Sequence, residues 1–293
     1  MATIGDIIDR CLREYLTRPQ DLPASARLIS SVSAGATSFV IVDAELTPEE
    51  EALINPGSVI EIDRELMRVV DYDDVTNTLT VTRGYLGTTD VAHTGGPVIV
   101  SPPWPRQAVF DALGDLIVGL YPSLWRITTK LVLTEGIVDL EDATAKSIIS
   151  VVDALTGDRV QGCNLLPNFP DVNSQVAVTF PRESWGIDAY ITYRQRFLRP
   201  TAETDDLTSG LGIDDSWQEI LIVGTVARLG PGVELEHSTV EYITEALEAQ
   251  GVRLGEITNV TTALIRYKEL LLRQARLALT QDNEVYVSTR SVL

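Results

Sequence analysis

The stretch SVIEIDRELMRVVDYDDVTNTLTVTR, Ser58 to Arg83, holds three short apolar and β-branched runs separated by turn formers. SVIEID, LMRVVDY and NTLTVTR alternate with a period of two, the pattern of half-buried strands. Asp63-Arg64-Glu65 and Asp73 to Asn77 fall where two hairpins must turn. Outward from this stretch, SFVIVD and PVIVS repeat the pattern, so residues 27–101 are expected to form a small β-domain. Within it, LTPEEEALI is expected to be a short helix, with Thr47 as cap, Pro48 in its first position and Glu50 completing a capping box.

The flanking sequence has a different period. Ile4, Ile7, Ile8, Cys11, Leu12 and Tyr15 recur at three- and four-residue steps and predict a helix over Thr3–Leu16, stopped by Pro19 and Pro23. After Pro102-Pro103-Trp104-Pro105, one helical face is lined by Val109, Leu113, Leu116, Ile117 and Leu120. A second run of strands follows between Ile127 and Arg199: ITTKLVLT, SIISVVDAL, RVQGCNLL, QVAVTF and DAYITYRQRF. Their spacing predicts an antiparallel sandwich.

Past the acidic linker TAETDDLTSG the chain reads as helix. One helix caps on Asp214 or Asp215, a shorter one covers Thr239 to Ala249, and the longest covers Thr258 to Thr280. The tail QDNEVYVSTRSVL alternates like a strand without a local partner. The expected fold is therefore α+β and multidomain: a helical bundle with two inserted all-β domains. The bundle would draw on 1–26, 102–126 and 204–281, with the small β-domain at 27–101, the β-sandwich at 127–203 and a C-terminal extension at 282–293.

Of 293 residues, 44% are hydrophobic and 22% charged, an ordinary globular composition, but 42 acids against 23 bases leave a net charge of −19. Such a chain is not expected to grip nucleic acid over a broad face, although an acidic wall suits a DNA polymer that must slide past. Cys11 and Cys163 are too few for a disulfide framework. The charged, amphipathic start argues against a signal peptide, and no apolar run is long enough to span a membrane.

Few residues invite chemistry. TRGYLGTTDVAHTGG, Thr82 to Gly96, is rich in glycine yet fits neither GxxxxGK[ST] nor GxGxxG opening a helix, and it lies between strands. Its glycines are expected to permit positive φ, and Arg83 to bond loop carbonyls. His93 alone makes a poor metal site, His237 lies in an unrelated region, and no serine sits in a nucleophile elbow. DYDDVTNT lacks the glycine and closing glutamate of a calcium loop. Asp71 and Glu65 offer no readable paired-carboxylate geometry, so neither an enzyme nor a cofactor or metal is expected. Trp185, Tyr190 and Tyr193 are the aromatics with which the sandwich could meet a sugar.

Glu65, Met67, Val69, Val81, Arg83, Gly84, Gly87, Thr88, His93 and Gly96 spell E-x-M-x-V, a hairpin, then V-x-R-G-x-x-G-T-x-x-x-x-H-x-x-G. This pattern closely resembles a segment of tailed-bacteriophage structural proteins. IDDSWQEILIVGTVARL, followed by TTALIRYKELLLRQARLAL, resembles the C-terminal half of siphophage head-to-tail adaptors. The resemblance implies a structural protein of the virion neck, assembled in the bacterial host cytoplasm. It implies a homo-oligomeric ring, usually twelve-fold, beneath the portal protein and above a stopper or tail component. DNA would pass through without specific binding, and no membrane is involved. Arg266, Tyr267, Arg273, Arg276, Val285, Tyr286 and Val287 are the candidate portal or subunit contacts. The alternative is a tail or baseplate protein whose sandwich binds host-surface carbohydrate.

Overall fold

The computed structural model describes residues 2–16, 25–42, 47, 52–102, 104–170, 176–229, 237–249 and 260–288, without the side chains of 237–239, 260 and 280–288. The expected stop at Pro19 and Pro23 and the core of the helix expected over LTPEEEALI lie outside these residues. The chain divides into two compact units, one of Gly5–Leu113 with Ile222–Lys268, the other of Met1–Ile4, Gly114–Leu221 and Glu269–Leu293.

The first unit holds a closed barrel of strands β1 (Ser25–Leu28), β2 (Ser38–Val42), β3 (Val59–Ile62), β4 (Glu65–Asp73), β5 (Thr78–Thr82) and β6 (Pro97–Val100), in the order β1-β2-β5-β4-β3-β6. Antiparallel pairing of β1 with β6 closes it, which leaves no long open edge. Alternation fills the interior with Phe39, Ile41, Ile60, Ile62, Met67, Val69, Leu79, Val81, Val98 and Val100. Two charged residues share that inward parity. Glu65 lies in line with Met67 and Val69, and Arg83 follows Leu79 and Val81.

Helix α1 (Ile4–Arg10) continues as a π-turn over Cys11–Leu16. Its apolar stripe is buried as the spacing requires, with the Cys11 thiol 3.9 Å from the Ile222 carbonyl oxygen. Helix α2 (Arg106–Gly119) starts on the barrel: the buried carboxylate of Glu61, on β3, accepts the Arg106 N–H at 2.6 Å. An acidic side chain at a helix N-terminus satisfies one of its unpaired donors.

In the second unit, β7 (Arg126–Leu133), β12 (Asp188–Gln195) and β9 (Ala145–Asp153) make one sheet, ordered β7-β12-β9. β10 (Asn164–Pro167), β11 (Val176–Thr179) and β8 (Ile137–Asp139) make the other, ordered β10-β11-β8. Val132, Val151, Val178, Ala189, Ile191 and Tyr193 share one core with Phe180. Asp214 accepts the Ser216 N–H at 2.8 Å and starts a 3-10 turn that leads into α3 (Gln218–Leu229). Helices α4 (His237–Glu248) and α5 (Val260–Ser288) follow.

Two expectations are corrected. One unit is built on a closed six-stranded barrel and the other on two three-stranded sheets, not on a helical bundle with β-domains inserted. The helices are shared out between the two units. A helical period shows that a helix has an apolar side but not what buries it, so it cannot by itself announce a bundle. The second correction concerns the tail. The segment read as a strand is helical through Ser288, because extending an existing helix adds a hydrogen bond per residue while an unpartnered strand adds none.

Candidate functional site

The residues of the E-x-M…R-G…H pattern meet at one end of the barrel. Glu65, 1% exposed, receives five donors. Its Oε1 accepts from Arg83 Nε at 2.6 Å and from the Gly84 N–H at 3.1 Å. Its Oε2 accepts from Arg83 Nη2 at 2.6 Å, from the Val91 N–H at 3.2 Å and from His93 Nε2 at 3.0 Å. Burial pushes the Glu65 carboxyl up, but the bonds from Arg83, His93, Val91 and Gly84 outweigh it and hold the pKa at about 2.

Arg83 is equally engaged. Besides Glu65, Nη1 donates to the carbonyls of Ser33 at 3.2 Å and Ala36 at 3.1 Å, and Nη2 donates to the Val91 carbonyl at 2.5 Å. Asp90 lies 2.9 Å away and also accepts the Gly35 N–H. The hydrogen bond to Glu65 raises the Arg83 pKa against the opposing effect of burial. His93, 1% exposed, places Nδ1 2.7 Å from Asp63 Oδ2, while its backbone N–H and C=O exchange bonds with Val32 at 2.8 and 2.7 Å. Both ring nitrogens face carboxylate oxygens.

The remaining pattern residues shape the loop. Met67, Val69 and Val81 are buried in the barrel core. Thr88 Oγ1 accepts the Leu66 N–H at 3.1 Å and donates to the Tyr85 carbonyl at 3.0 Å, pinning the loop to β4. Gly84 has φ +62, and a Cβ there would stand 3.0 Å from the Thr88 carbonyl oxygen. Gly87 and Gly96 also take positive φ, +83 and +122.

This geometry limits the chemistry. A carboxylate offers about four lone-pair sites, and Glu65 already receives five donors, so it holds no free site for a substrate proton or a cation. All five guanidinium N–H groups of Arg83 have acceptors, which leaves none for a phosphate. The cluster fastens β4, β5 and the 83–96 loop together. Arg83 bonds loop carbonyls as the sequence led one to expect, but its pairing with Glu65 and the parts of Asp63 and Asp90 were not anticipated. The inward parity of Glu65 and Arg83 on adjacent strands was the available signal.

The other candidates do not join this site. Tyr267 is buried, edge-to-face with Tyr242 at 6.2 Å, and so is not presented for docking. Arg266, Arg273 and Arg276 are exposed on α5. Val285, Tyr286 and Val287 lie in its last turns, with side chains outside the described set. Of the three aromatics, Tyr193 is buried while Trp185 and Tyr190 are exposed, so no three-ring platform exists. In the DYDDVTNT hairpin, Asp73 accepts from the Thr76 hydroxyl at 2.7 Å and the Val75 N–H at 3.0 Å, bonds that lower its pKa. Among the described residues no group of three or more His, Cys, Asp or Glu could hold a metal. Compared with protein-family models and with curated proteins, the sequence matches none.

Proposed function

We propose that this chain is a structural protein of a tailed-bacteriophage particle, a head-to-tail adaptor that forms a ring on the portal and passes DNA through an acidic channel. One observation carries the reading. Of the residues on which the phage resemblance rests, Glu65, Arg83, Gly84 and His93 converge on one buried cluster, and Thr88 ties the following loop to β4. The shared pattern therefore corresponds to a folding module, which is what a structural protein would hold in common with its kind. The net charge of −19 favours a wall that DNA does not adhere to.

In this reading α5 reaches the portal. Its exposed Arg266, Arg273 and Arg276 meet acidic groups there, and the turn bearing Val285, Tyr286 and Val287 docks as helix. Native mass spectrometry of the chain mixed with its phage's portal ring tests it. The expected result is a ring of about twelve copies on the portal, lost on deletion of Asp282 to Leu293. A chain that ignores the portal and forms a three- or six-fold assembly alone would place it in the distal tail and overturn the adaptor reading.

A further inference from the structure

We draw no further inference here: the strongest candidate, the surface patch around the half-exposed Trp185 in the turn after β11, carries nothing, because the indole N–H is met by the Phe180 carbonyl at 3.1 Å, the ring lies against Gly136 with the Arg182 guanidinium 5.8 Å from its centroid, and nothing in the structure shows what covers the rest.

Discussion

Glu65 keeps its charge inside the barrel because Arg83, His93 and two backbone N–H groups surround it. Removing one partner of such a buried pair strands the other charge, at about 3–5 kcal/mol. Glu65→Gln should therefore lower barrel stability by about that amount in urea unfolding, and a loss below about 0.5 kcal/mol would contradict the role given to the cluster. The pH dependence has a definite sign. The folded-state pKa is depressed from 4.5 to about 2, so the stabilisation is complete above pH 4.5 and is lost as pH falls through 2. Acid titration followed at the Gly84 and Val91 amides should show the loop releasing in that window. The Glu65→Gln chain should show no such step there.

At the scale of the element, the 83–96 loop depends on glycine in two different ways. Gly87 takes φ +83 with open space around its missing Cβ, whereas Gly84 takes φ +62 with the Thr88 carbonyl 3.0 Å from it. Alanine at Gly87 pays only the left-handed cost, about 1–2 kcal/mol. Alanine at Gly84 adds a backbone clash and should cost more, which thermal unfolding of the two variants will rank. Equal losses would show that the close approach is relieved without strain. The strands of this region were legible because each alternates against one buried face. β1 was not among the runs read as strands, and it begins before the expected start of the β-domain at Arg27, since SARL is short and its partner β6 is distant in sequence. The last turns of α5 were misread because EVYVS alternates like a strand, yet its backbone follows the helix before it.

For the whole molecule, charge decides how it meets other polymers. With 42 acids and 23 bases, the chain should not retain double-stranded DNA in a mobility-shift experiment at about 0.15 M salt, where exposed charges act over about 8 Å. Retention at micromolar protein would argue against an acidic conduit. Ring assembly should likewise strengthen as salt screens the repulsion between copies, and weakening with salt would argue against that repulsion.

Composition, strand alternation and the helical stripes were determined by the sequence alone, because burial of one face imposes its period on the chain whatever lies opposite. The sequence likewise placed Glu65, Arg83 and His93 in one pattern. Only the tertiary structure decided that β1 and β6 close a barrel, that the helices are divided between two units, and that these three side chains share one set of hydrogen bonds. The reason is physical: periodicity reports that a surface is covered, while the identity of what covers it depends on contacts between residues far apart in the chain.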